Sequence, residues 1–92
     1  MSKARRALEA ERSRTPERAF ALTLRKIRRK RGYSQDRLAH ESGYHRTYIG
    51  MLERGEKSPS LRTIVNIATT LRVKPSYIVA SVERVLIRTH KS

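Results

Sequence analysis

Glycines at positions 32, 43 and 55 cut the middle of this chain into pieces too short to bury anything alone. A helix shorter than about 12–15 residues is marginal in water, so such pieces persist only when packed against neighbours. The stretch GYHRTYIGMLERGEKSPSL, residues 43 to 61, makes the constraint concrete. Its apolar positions Ile49, Leu52 and Leu61 are too few and too far apart for a self-sufficient core helix. Yet His45, Arg46, Thr47, Gly50 and Met51 gather on one face of the short helix expected there, and that face has to meet something.

The flanking sequence supplies the neighbours. Thr15-Pro16-Glu17 reads as a helix start, with an N-cap threonine, proline at the first helical position and an acid in the first turn. Phe20, Leu24 and Ile27 then recur at i, i+4 and i+7, and Gly32 ends this first helix. Ser34 caps a second helix that turns Leu38 and Ala39 inward and stops at Gly43. A third runs from about His45 to Arg54 and is closed by Gly55. Ser60 caps a fourth, whose Leu61, Ile64, Val65, Ala68 and Leu71 keep the spacing of a buried face. Pro75 opens a fifth, and although its Ile and Val content also suits a strand, no second strand is available to pair with it. The expected fold is all-α: five helices over residues 15–92, preceded by a mobile basic arm over residues 1–14.

The chain carries 22 Lys and Arg against 8 Asp and Glu, a formal charge of +14 over 92 residues. Residues 1–31 hold twelve of the bases and three of the acids. Such a balance calls for a polyanionic partner, nucleic acid ahead of an anionic membrane surface. A membrane-surface helix would need a broad aromatic or leucine face, which is missing, and no run is long enough to span a bilayer. The lack of cysteine removes disulfides, thiolate zinc sites and cysteine nucleophiles. His40, His45 and His90 have no metal-ligand spacing, and no phosphate-cradling glycine loop or nucleophile–base pair occurs. The sequence therefore points away from an enzyme, with no cofactor and no metal. An RNA-binding protein would also be basic, but only five aromatics are present and no sheet is expected to stack bases.

Helices two and three, joined by a tight glycine turn, carry the functional signal. Ile49 and Leu52 lie one turn apart and pack back onto Leu38 and the first helix, with small Ala39 allowing close approach. That leaves His45, Arg46, Thr47, Gly50 and Met51 pointing outward from a helix held from behind. The segment SQDRLAHESGYHRTYIGMLERGEKSPSLRTIVNIATTLRV resembles the Cro/C1-type (XRE) helix-turn-helix domain of phage repressors and small bacterial regulators. Gln35, Ala39, Gly43, Ile49 and Leu52 occupy its motif positions, and ERG, PSL and the later IA match its downstream pattern. RTYIGMLERG is further similar to controller proteins of restriction-modification systems.

The resemblance implies that helix three enters the major groove of double-stranded DNA. Arg46 would then pair with a guanine edge, and Thr47 and Met51 would meet base edges or thymine methyls. His45 would touch a base or phosphate, and Gly50 would let the helix sit deeper. Ser34, Gln35, Tyr48, Lys57, Ser58, Ser60 and Arg62 are the phosphate candidates, with Tyr48 equally suited to packing. Arg28 and Glu53 match a family pair that locks helix one to the recognition helix. One short helix reads few base pairs, so a homodimer on a two-fold operator is expected. Ile78, Val79, Val82, Val85 and Leu86, more apolar than one face needs, would join the two copies. The same domain also serves in antitoxins, where a toxin is the further partner, but no toxin-wrapping segment is evident. A bacterial or phage regulator of this kind works in the cytoplasm, on the nucleoid.

Overall fold

The computed structural model describes residues 15–91, with side chains described to residue 88; the basic arm at 1–14 lies outside the described residues. Five helices and no strand form among the described residues: α1 (Pro16–Lys30), α2 (Gln35–Ser42), α3 (Arg46–Glu53), α4 (Leu61–Leu71) and α5 (Pro75–Lys91). The caps are those the sequence announces. Thr15 accepts from the Arg18 N–H at 3.1 Å, Ser34 from Arg37 at 3.0 Å and Ser60 from Thr63 at 3.0 Å. Each bond satisfies a donor that the helix itself leaves open. Gly43 closes α2 at φ +82°, a left-handed conformation that a Cβ disfavours, so the chain reverses within one residue. No described helix is long and apolar enough to cross a membrane.

α1 is the spine, packed against α5 along one flank and α3 along another, while α2 rests on α3 and α4. Phe20, Leu24 and Ile27 of α1 meet Leu38 and Ala39 of α2, Ile49 and Leu52 of α3, Ile67, Ala68 and Leu71 of α4, and Ile78 of α5. At about 25 cal/mol per Å² of apolar surface removed from water, this one cluster supplies most of the drive to fold.

Two expectations about buried faces need correction. In α4 the inward residues are Thr63, Ile67, Ala68 and Leu71, with Ile64 half-buried. Leu61 remains 75% exposed and Val65 40% exposed. The helix carries apolar groups around more than one face, so periodicity left its rotation open, and docking on α2 and α5 selects the stripe that includes Ile67. In α5, Ile78 is 0% exposed and closes the core, so it is not available to a second copy. Val82 packs partly against the same cluster. The surplus expected of α5 is thus smaller: Val79, at 51% exposed, Ile87, and the partly exposed Val85 and Leu86.

The two neighbouring positions 78 and 79 give a direct check. Ile78→Ala should lower unfolding free energy by roughly 2–4 kcal/mol, the cost of a core cavity, whereas Val79→Ala should change it by less than about 1 kcal/mol. Urea denaturation of the two variants measures both.

Candidate nucleic-acid interface

α3 is eight residues long, and its inner surface is committed to packing through Ile49 and Leu52. What orients it is a buried ionic junction. The Arg28 Nε–H and Nη2–H donate to the two carboxylate oxygens of Glu53, the second at 2.9 Å. The Arg28 Nη1–H donates to the Tyr33 carbonyl at 2.8 Å, and the Gln35 amide N–H donates to Glu53 Oε1 at 2.9 Å. Arg25 adds a more distant charge at 3.8 Å. Burial pushes the Glu53 carboxyl up, but the hydrogen bonds from Arg28 and Gln35 and the nearby arginine charges outweigh it and hold the group below the usual carboxylate range. Gln35, a phosphate candidate, gives one side-chain N–H to this junction and keeps its other amide hydrogen and its backbone N–H.

The outer surface of α3 offers Arg46 and Thr47, both exposed, with Met51 partly exposed. His45 is the N-cap residue; its side chain makes no capping bond and stays exposed. Arg46 reaches across to Asp36 at the start of α2, with Nε 3.0 Å from the carboxylate and both side chains largely in solvent. An exposed pair of this kind is worth about 0–1 kcal/mol, less than the roughly 1–3 kcal/mol of a bidentate guanine contact, so it poses a small barrier to exchange.

Gly50 departs from the expectation of an open front position. It is buried, because the Arg54 guanidinium folds back over it, and a Cβ there would lie 3.0 Å from Arg54 Nη1. Arg54 is held in that pose by Glu56, with Nε 2.8 Å from the carboxylate. Arg46, Thr47, Gly50, Arg54 and Gln35 together line a shallow concavity of about 240 Å³. The concavity is flanked by cationic side chains and open to solvent. Arg54 and Asp36 were missed from the sequence, since an i+4 side chain folding over a glycine and a cross-helix pair need the packed geometry.

The phosphate candidates divide. Lys57, Ser58 and Arg62 are exposed in and after the α3–α4 loop. Ser60 is not free to bind through its hydroxyl: it accepts from the Thr63 N–H and donates to Thr63 Oγ1 at 3.0 Å. Ser34 accepts the Arg37 N–H as a cap, which leaves its exposed hydroxyl hydrogen able to donate. Tyr48 is half-buried against Tyr44, ring centres 5.2 Å apart, with its hydroxyl 3.4 Å from Thr63 Oγ1. Tyr44 donates to the same oxygen at 3.3 Å and accepts from the Asn66 amide at 3.0 Å. Buried Thr63 is thus the hub that ties α4 to the segment entering α3, and Tyr48 serves packing.

The site is thus a short helix with an exposed polar front, braced by a second helix across a glycine turn. The profile of the helix-turn-helix family HTH_3 matches residues 24–78. The chain belongs to that family. Within HTH_3, it is 41% identical over 56 residues to the HTH-type transcriptional regulator SutR of Escherichia coli, which aligns 61% of this chain with 32% of that protein. It is 44% identical over 57 residues to the control protein C.BamHI of Bacillus amyloliquefaciens, covering 61% of this chain and 70% of that one. The solved restriction-modification controller protein C.AhdI from Aeromonas hydrophila superposes with a TM-score of 0.66 at 39% identity, over 67% of this chain and 94% of that one. The chain thus spans about a third of SutR but most of the two controllers.

The junction gives a pH-dependent prediction. A carboxyl depressed by folding contributes stability above its unfolded pKa of about 4.3, and that stability drains away as pH falls through the lower folded value. Glu53→Ala, which strands Arg28 in a buried setting, should cost on the order of 3 kcal/mol at neutral pH. The variant should also lose less stability than wild type between neutral pH and the acid range. Thermal melts across that range test both statements.

Proposed function

We propose that this chain is a sequence-specific regulator of transcription that binds double-stranded DNA as a homodimer, with α3 in the major groove of each half of a two-fold operator. The observation that carries the reading is the clamped helix: a polar front on α3, fixed from behind by Arg28, Gln35 and Glu53. A reading element pays off only when it is presented rigidly, because each base-edge hydrogen bond depends on direction. The formal charge of +14 supplies the sequence-independent attraction to phosphate. Similarity to C.BamHI and C.AhdI supports a role as controller of a restriction-modification system, and hence a cytoplasmic, nucleoid-bound regulator with no catalytic step of its own.

In this reading Arg46 leaves Asp36 for a guanine, while Thr47 and Met51 contact neighbouring base edges. His45 lies at the rim, and Arg54 extends the contact toward the backbone. Lys57, Ser58 and Arg62, together with the open N–H groups at the start of α4, position the phosphates. Val79 and Leu86, on the flank of α5 turned away from α1, join the two copies, with Val82 and Val85 as partly covered neighbours.

Selection of bound sequences from random duplex identifies the operator. On that site Arg46→Ala should lose roughly 1–3 kcal/mol and flatten discrimination at one base pair in each half. Lys57→Ala should weaken all sequences alike and shallow the salt dependence by about one unit per protomer. Equal losses on specific and random DNA would reduce Arg46 to a phosphate contact. Val79→Asp combined with Leu86→Asp should yield folded monomers in sedimentation and much weaker operator binding; wild type that stays monomeric on its operator would refute the dimer.

A further inference from the structure

The charge of this chain is not confined to the α3 side. α1 turns Arg25 and Arg28 toward α3, but its Thr23, Lys26, Ile27 and Lys30 face a different neighbour, α5. Between α1 and α5 runs a groove of about 470 Å³, floored by Leu22, Ile27, Tyr77 and Val85. Its rim carries Lys26 and Lys30 from α1 and Arg84 and Arg88 from α5. A second hollow of about 530 Å³ shares Ile27, Lys30 and Tyr77 with the first and extends it to Arg31, Arg72 and Lys74. None of these cations is in an ion pair with a described carboxylate, and among the described residues no acid lines either hollow.

One feature separates this groove from a plain basic surface. Leu22 and Tyr77 of its floor stay 41% and 44% exposed, which a surface built only for phosphate has no use for. Apart from Val85, which borders both, the groove is separate from the proposed dimer contact. At 100° per residue, Tyr77, Ser81, Arg84 and Arg88 fall on one flank of α5 while Val79 and Leu86 fall on the other.

We propose that the α1–α5 groove is a docking site for an acidic amphipathic helical segment of a partner protein. The occupant follows from complementarity. The apolar floor takes leucine-like side chains at i, i+3 or i+4, and i+7, and the basic rims take flanking carboxylates. From Tyr77 to Arg88 the α5 wall runs about 16 Å, which is three turns of a bound helix. The chain's own residues 1–14, with five bases and two acids, have the wrong sign, as does a second copy of a chain of charge +14. Nucleic acid matches the rim and leaves the floor unused. A regulator docked on DNA through α3 would therefore keep this face open to a protein.

The test is an amide chemical-shift titration of the full chain with three probes. They are a synthetic Leu/Glu peptide of about twelve residues, the same peptide with Leu replaced by Ala, and a random-sequence DNA duplex. The Leu/Glu peptide should shift amides of residues 22–30 and 77–88, and the duplex should shift those of α3 and the loop after it. Leu22→Glu and, separately, Arg84→Glu should weaken the Leu/Glu peptide about tenfold or more while leaving the duplex response on α3 in place, which also reports that each variant is folded. Equal binding of the Ala peptide would overturn the proposal, as would peptide shifts spread across α2 and α3, or displacement of the peptide from the groove by duplex.

Discussion

Glu53 is a carboxylate almost sealed from water, and three helices meet on it. Arg28 comes from α1, Gln35 from the first turn of α2, and Glu53 itself from the last turn of α3. A buried charge is tolerable only when its hydrogen bonds are complete, so the three helices cannot slide past one another without exposing an unpaired ion. Short helices have little intrinsic stability, and here a polar junction gives them a direction that apolar contacts alone do not specify. Apolar packing through Leu38, Ile49 and Leu52 supplies the attraction; the junction supplies the angle.

The exposed face of α3 inherits that rigidity. Arg46 and Thr47 start from backbone whose far end is pinned by Glu53, and Arg54, the next residue, is held by Glu56. Thr63 does comparable work on the other side, taking hydroxyls from Ser60 and Tyr44 and lying within reach of Tyr48. The α3–α4 loop is therefore held at both ends, by Glu53 before it and Thr63 after it. Lys57 and Ser58 lie between those anchors, where exposure leaves them room to adjust.

Apart from the Arg28–Glu53 junction, charge and core are kept apart in this small protein. The apolar cluster occupies the centre, and cations cover the α3 side, the α1–α5 groove and the ends of the helices. Self-repulsion in a chain of charge +14 opposes compaction, and a polyanion bound to the folded state relieves it. Ligand binding and stability are thus coupled through the same side chains, by mass action on the folded form.

The sequence alone determined the five helices of the described residues, the caps at Thr15, Ser34 and Ser60 and the reversal at Gly43, because each depends on local backbone chemistry or on spacing along one helix; the helix-turn-helix pair was identified through resemblance. The Arg28–Glu53 partnership was legible through resemblance, not through local pattern. Tertiary structure decided what no local rule contains. It rotated α4 so that Ile67 entered the core and Leu61 did not, since periodicity gives a stripe's width but its neighbours choose its direction. It claimed Ile78 for the domain's own interior, since a helix with apolar residues on several sides is divided between core and surface by what packs against it. It drew Gln35 into the Glu53 junction and laid Arg54 over Gly50, because side chains from separate turns and separate helices meet only once the helices have docked.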